Sequence, residues 1–176
     1  MRRLALCVAV TCLAACRSDA TKPGAGTAGS ETGATVTDPA VGAIVRVVDG
    51  DTVVVEIGGG EETVRLIGVD TPETVKPDSP VECYGPEASA LTAELLPEGT
   101  VVRLVRDPEP RDAYGRLLAY VYRVEDGMLV NLLLLEAGAA TPLSFPPNTT
   151  HAERFVAAAA AAERAGVGLW GACGTP

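Results

Sequence analysis

The chain has 176 residues, of which 47% are hydrophobic, and its net charge at neutral pH is −9. From residue 41 onward it carries 10 basic and 20 acidic side chains, which excludes a basic stripe of the kind that binds polyanions by charge alone. It has one histidine, His151, which excludes paired histidine acid–base groups and histidine-rich zinc sites.

Residues 1–15 have the pattern of an export signal. Two arginines precede the apolar run LALCVAVTCLAA, which leads to Cys16 and is too short to span a bilayer as a helix. The ending LAAC resembles a bacterial lipobox, which implies cleavage before Cys16 and lipidation of its thiol. The alternative is an ordinary secretory signal with a chance cysteine. We therefore expect an exported protein, anchored to a membrane through Cys16 or otherwise secreted.

Residues 16–40 are predicted to be a flexible linker. They are rich in Gly, Ala, Thr and Ser, with no aromatic residue and no apolar periodicity, so they cannot bury enough surface to order themselves. A tether of about 24 residues would reach on the order of 25–30 Å.

Residues 41–176 are predicted to form one domain, because their number suits a single hydrophobic core. Hydrophobic patterns and glycine-rich turns predict strands at 43–49, 52–57, 62–69, 100–107 and 116–124. Helical spacing predicts helices at 86–96, 131–138 and 150–166. Because strands and helices do not alternate, the order favours an α+β fold, a five-stranded OB-fold barrel with three helices.

Cys83 and Cys173 are the two cysteines of the predicted domain. In an exported domain such a pair favours a disulfide. The bond would close a loop of roughly 90 residues and stabilise the fold by about 4 kcal/mol in the chain-entropy model. Two free thiols, or a metal pair without other ligands, are the alternatives.

Four acidic residues lie at two predicted strand ends. VVDGDT contains Asp49 and Asp51, and VDTPET contains Asp70 and Glu73. If the first and third strands are neighbours, Asp51 and Asp70 could share one cation. Carboxylates, a backbone carbonyl and water suit Ca²⁺, and so few charged ligands predict a dissociation constant on the order of 10⁻⁴–10⁻³ M. Asp-Gly and Thr-Pro are also ordinary turn residues, and turn formation alone is the alternative.

Two arginines are predicted to lie near these acids. Arg65 is on the strand that leads to Asp70, and Arg116 follows Tyr114-Gly115 where the chain re-enters the sheet. Guanidinium groups bind phosphate oxygens bidentately. With a cation and a carboxylate they would supply charge stabilisation and a general base for phosphodiester hydrolysis. A surface salt bridge is the alternative for each arginine.

Other catalytic patterns are absent from the sequence. It contains no G-x-S-x-G motif, no Walker loop and no G-x-G-x-x-G after a predicted strand. His151, near the start of a predicted helix, is expected to be a surface residue.

From about Ile44 to Trp170 the sequence resembles the staphylococcal nuclease-like, or thermonuclease, family. The matching segments are VVDGDTV, RLIGVDTPET, YGPEAS, DAYGRLLAYVY, LVN before a helix, and PNTTH. The resemblance implies an OB-fold barrel with helices and Ca²⁺-dependent cleavage of DNA and RNA. It also implies products with a 5′-hydroxyl and a 3′-phosphate, made by a protein that we expect to be a monomer.

The resemblance implies a metal site at the two strand ends. Asp51 and Asp70 would be calcium carboxylates, and Thr71 would offer its backbone carbonyl. Asp49 would lie near the site without being a direct ligand.

The same resemblance implies the catalytic and substrate-binding residues. Glu73 would be the general base that acts on a water molecule, and Arg65 and Arg116 would hold and stabilise the phosphate. Tyr114 would lie near the nucleotide.

The sequence departs from the family pattern beside this set. Leu143 and Phe145 stand where an aromatic pair is expected, and Ala113 replaces a lysine. The domain is acidic where well-known members are basic, so we expect slower turnover and a higher KM. A non-catalytic OB-type binding module, or a lipoprotein that uses calcium only for stability, is the alternative.

Overall fold

The computed structural model describes residues 40–74 and 80–173. The predicted signal peptide at 1–15 and the lipidation site Cys16 lie outside the described residues. So does the predicted linker at 16–40, except for Ala40.

The described residues form a barrel with helices around it, which confirms the predicted α+β fold. In chain order the strands are β1 (Ala40–Asp49), β2 (Thr52–Ile57), β3 (Gly60–Leu66), β4 (Gly68–Asp70), β5 (Val101–Val105), β6 (Leu117–Arg123) and β7 (Thr141–Leu143). The helices are α1 (Gly85–Leu95), α2 (Val130–Glu136), α3 (Ala152–Ala165) and the single turn α4 (Leu169–Ala172). None of the helices in the described ranges is long and apolar enough to span a bilayer.

The barrel closes in the order β1-β2-β3-β6-β5. Its strand pairs are antiparallel except for β3 and β6, which run parallel. The β2–β3 pairing places Thr52 opposite Arg65, and the β3–β6 pairing places Arg65 opposite Leu118. Arg65 therefore lies between the strand that follows Asp51 and the strand that follows Arg116.

The predicted third strand is two strands in the structure. β3 ends at Leu66, and after a turn β4 leaves the barrel to pair with β7. Gly68 has a φ of +81°, and a Cβ on it would lie 2.6 Å from the Phe155 ring, so glycine is required at this break. The short strand β7 was not predicted, and it matters because it brings Leu143 beside Gly68.

A buried asparagine fixes this break to the rest of the barrel. Asn131 is fully buried at the start of α2. Its Oδ1 accepts from the Val121 N–H at 2.9 Å and its Nδ2 donates to the Ile67 carbonyl at 2.8 Å. A buried amide with satisfied hydrogen bonds specifies a single arrangement of its neighbours, so the point where the chain leaves the barrel is fixed in place.

Three side chains outside the barrel also have defined partners. Cys83 and Cys173 form a disulfide with a Cα–Cα distance of 5.9 Å. The prediction that His151 is a surface residue is wrong, because its side chain is half-buried and its Nε2 lies 3.1 Å from the Tyr122 hydroxyl. The His151 ring also packs edge-on against Tyr120 with a centroid distance of 4.5 Å.

Candidate active site

Arg65 joins the two aspartates that were predicted to converge. Its Nη1 lies 2.9 Å from Asp51 Oδ2 and its Nη2 lies 3.0 Å from Asp70 Oδ1. Nη1 also donates to the Val69 carbonyl at 2.9 Å, so the guanidinium is held from several sides. Two carboxylates from different strand ends therefore meet at one positive charge.

Asp51 is the buried member of this pair. Its Oδ2 accepts hydrogen bonds from the Thr71 N–H at 3.0 Å and the Thr71 hydroxyl at 3.2 Å. Burial raises the pKa of the Asp51 carboxyl above its ordinary value, although Arg65 and the Thr71 N–H favour the charged form. The Asp70 side chain, by contrast, is 50% exposed, so one carboxylate faces the protein and the other faces solvent.

Asp49 and Glu73 form a second acidic pair beside the first. Asp49 Oδ1 accepts hydrogen bonds from the Gly50 N–H at 2.8 Å, the Thr74 hydroxyl at 2.6 Å and the Ser89 hydroxyl at 3.0 Å. Burial raises the pKa of the Asp49 carboxyl, but these bonds outweigh it and the pKa lies below its ordinary value. Glu73 Oε1 accepts from the N–H of Thr74 at 3.0 Å, and Thr74 is the residue whose hydroxyl donates to Asp49. The side chain of the predicted base therefore has fixed neighbours.

Arg116 is oriented by Asp112, a residue that the sequence analysis missed. Arg116 Nε donates to Asp112 Oδ2 at 2.6 Å, and Asp112 Oδ1 accepts from the N–H groups of Tyr114 and Arg116, each at 2.9 Å. Burial raises the pKa of Asp112, but the Arg116 bonds lower it below its ordinary value. The four-residue spacing of Asp and Arg in DAYGR was the available signal.

Arg65 and Arg116 line one cavity, of about 450 Å³. Leu143 and Phe145 line it as well, and Phe145 is 67% exposed. Tyr114 is 86% exposed, with its ring centroid 5.5 Å from the Arg116 guanidinium carbon. The space thus combines two cations with apolar surface, which suits a phosphate attached to a flat ring.

Residues 63–172 match the family model described as "Staphylococcal nuclease homologue". The chain belongs to the staphylococcal nuclease family.

Curated relatives are similar over most of the folded part. A thermonuclease from Staphylococcus intermedius is 42% identical over 127 residues, which cover 72% of this chain and 74% of the relative. A thermonuclease from Staphylococcus hyicus is 41% identical over 127 residues, with 72% and 73% covered. Endonuclease YncB from Bacillus subtilis is 44% identical over 111 residues, which cover 62% of this chain and 52% of that protein. The chain spans about half the length of this last relative.

Within this staphylococcal nuclease-family domain, few side chains are available as ligands for a cation. Among residues 40–74 and 80–173, no group of three or more His, Cys, Asp and Glu side chains could hold a metal ion. Asp51 and Asp70 each pair with the Arg65 guanidinium, on different nitrogens, so both carboxylates are available to a positive charge on this side of the domain. Two carboxylates with a carbonyl of Thr71 and water fit a hard cation bound by few protein ligands.

Proposed function

We propose that this protein is a Ca²⁺-dependent nuclease that hydrolyses phosphodiester bonds in DNA and RNA and leaves 5′-hydroxyl and 3′-phosphate ends. One observation carries the proposal: Arg65 faces the cavity that Arg116 also lines, and the same Arg65 contacts both Asp51 and Asp70. The names of the thermonuclease and endonuclease relatives support the nuclease activity in this proposal.

The two guanidinium groups bind the scissile phosphate in this proposal. Arg65 on β3 and Arg116, just before the neighbouring strand β6, both line the cavity, so both can donate to the oxygens of one phosphate. As the attacking oxygen adds, negative charge grows on these phosphate oxygens. Donors already held in place by Asp70 and Asp112 stabilise that charge without reorganising.

Glu73 removes the proton from the attacking water. The proton passes to a Glu73 carboxylate oxygen while the water oxygen forms its bond to phosphorus. The bond between phosphorus and the 5′ oxygen breaks in the same displacement, and the 5′ oxygen leaves as a hydroxyl after taking a proton from solvent water. A carboxylate positioned as a general base accelerates a reaction about 10²–10⁴-fold. The Thr74 N–H, which donates to Glu73 Oε1, fixes the direction of the carboxylate.

Asp51, Asp70 and the backbone carbonyl of Thr71 would hold Ca²⁺. When bound, the ion acts as a Lewis acid toward a phosphoryl oxygen. The Asp51 side chain is already held by Thr71 and Thr52, so the buried ligand does not need to reorder.

We also propose that the protein is exported and lipid-anchored through Cys16, and that it acts as a monomer. The Cys83–Cys173 disulfide supports an oxidising compartment. Labelling cells with a fatty-acid probe tests the anchor: the wild-type chain should carry the lipid and fractionate with membranes, and Cys16→Ser should do neither. An unlabelled wild-type chain would contradict it.

Digestion of plasmid DNA, single-stranded DNA and RNA by the purified chain tests the activity. With Ca²⁺ we expect cleavage of all three, with EGTA none, and end-group analysis should show 5′-hydroxyl termini. Binding of DNA without cleavage under any divalent ion would instead indicate a non-catalytic binding module.

A further inference from the structure

The backbone of Glu73 is held by Glu82. The Glu73 N–H donates to Glu82 Oε2 at 3.1 Å, and the Glu82 N–H donates to the Glu73 carbonyl at 3.0 Å. These reciprocal bonds fix the main chain of Glu73, and with it the Cα atom that carries the carboxylate side chain.

The start of α1 packs against the same backbone. Gly85 is buried, and a Cβ on it would lie 2.7 Å from Thr74 Cγ2 and 3.2 Å from the Glu73 carbonyl oxygen. The Gly85 N–H donates to the Glu82 carbonyl at 3.0 Å, which closes residues 82–85 into a turn. We call residues 82–85 the corner. The corner is therefore the surface that sets where Glu73 lies.

A covalent bond fixes the corner from the other side. Cys83 is bonded to Cys173, at the end of α4. The N–H of the buried residue Leu169, in the same helix turn, donates to the Gly138 carbonyl at 2.8 Å. Tyr84 has a φ of +68°, a conformation that a non-glycine residue keeps only when its surroundings hold it. The disulfide joins the neighbouring residue, Cys83, to the end of α4.

We propose that the Cys83–Cys173 disulfide and Glu82 are positioning groups for Glu73, so that catalysis by this chain depends on the oxidised disulfide. The inference rests on the proposed function, in which Glu73 is the general base. Cys83 and Cys173 are both exposed residues, so the bond is open to a dithiol reductant. Two electrons and two protons would then pass from the dithiol to the disulfide, giving two protein thiols and the oxidised reagent.

The loss should fall on turnover and not on phosphate binding. Arg65 and Arg116 are on or beside β3 and β6, and they are held by Asp70 and Asp112, none of which lies in the corner. A base displaced by about 1 Å can slow a reaction about 100-fold, whereas the guanidinium groups would keep their positions.

The kinetic test compares Cys83→Ser/Cys173→Ser and Glu82→Ala with the parent chain. Glu82→Gln is the matched control, because its amide oxygen can still accept the Glu73 N–H. We expect kcat to fall about 10–100-fold in the first two variants with KM changed less than about threefold, and Glu82→Gln to keep most of the parent kcat. A kcat equal to that of the parent in either Cys83→Ser/Cys173→Ser or Glu82→Ala, or an equal loss in Glu82→Gln, would overturn the proposal.

Hydrogen exchange separates this inference from the proposed function. In Cys83→Ser/Cys173→Ser the amides of Glu73 and Glu82 should exchange at least about tenfold faster, while those of the barrel strand β2 keep their protection. Unchanged exchange would overturn the positioning role. A parent chain that cleaves no nucleic acid would overturn the proposed function even if the exchange result were as expected. If the double variant fails to fold, the parent chain assayed before and after reduction by a dithiol gives the same comparison, and an unchanged kcat after reduction would overturn the proposal.

Discussion

Replacing Asp112 with alanine should remove the hydrogen bonds that orient the Arg116 side chain. The Asp112 carboxylate accepts three hydrogen bonds, from the Tyr114 N–H, the Arg116 N–H and Arg116 Nε. Its side chain is 18% exposed, so water replaces these bonds only in part. Hydrogen bonds to charged groups contribute about 1.5–3 kcal/mol.

We expect the free energy of unfolding of Asp112→Ala to fall by about 1.5–3 kcal/mol, measured by urea denaturation. If orienting the Arg116 guanidinium toward phosphate is worth a similar free energy, kcat/KM falls about 10–100-fold. Asp112→Asn keeps an acceptor for the two backbone N–H groups but loses the charge beside Arg116. It should therefore recover part of the stability and less of the activity.

Asp126→Ala is the matched control for this experiment. Asp126 accepts a hydrogen bond from the Met128 N–H and pairs with Arg123, a similar local pattern, but neither residue lines the cavity of Arg65 and Arg116. Its kcat/KM should equal that of the parent. If Asp112→Ala lowers kcat/KM no further than Asp126→Ala does, the argument that Asp112 orients a phosphate-binding arginine is refuted.

Three further predictions concern the acidic groups and Arg65. Glu73→Gln should lower kcat about 10²–10⁴-fold while calorimetry shows unchanged Ca²⁺ binding, and full activity would exclude the base role. Arg65→Lys should lower kcat/KM at least about tenfold, because an ammonium cannot bridge Asp51, Asp70 and a phosphate together. An unchanged kcat/KM would mean that the planar guanidinium with its several donors is not needed. Burial raises the Asp49 pKa but its hydrogen bonds depress it overall. The stability that Asp49 contributes is thus present above its unfolded pKa of about 3.9 and lost as the pH falls through its folded-state pKa. Between pH 6 and 2 the free energy of unfolding, measured with urea, should fall less steeply in Asp49→Asn than in the parent chain. Identical pH dependence in the two proteins would contradict the lowered pKa of Asp49.

The sequence predicts the barrel because local pattern and tertiary structure agree there. The β-branched run of β2 is buried at all of its first four positions, as expected for a strand within a closed barrel. The break at Gly68 was missed because the apolar residues of RLIGVD continue the strand pattern on both sides of it. A glycine within such a pattern does not by itself indicate a positive φ. β7 was missed because three residues containing a proline have too little pattern to indicate a strand.

The parts of the candidate site that follow from residue type and strand order could be predicted from the sequence. The convergence of Asp51 and Asp70 follows from two strand ends that the topology places together. That Arg65 would contact both carboxylates, as well as facing the cavity, did not follow from spacing alone. The reciprocal hydrogen bonds between Glu73 and Glu82 were missed for the same reason, since they depend on how the chain returns after Pro80.

A double-mutant cycle on the cleavage rate tests the central claim, that Arg65 and Arg116 act on one phosphate. The cycle compares kcat/KM for Arg65→Lys, Arg116→Lys and the double variant with the parent chain in Ca²⁺. Because both groups stabilise the same charge, we predict that the double variant loses less than the product of the two single losses. A double loss equal to that product, or a parent chain that cleaves no DNA or RNA, would contradict the account.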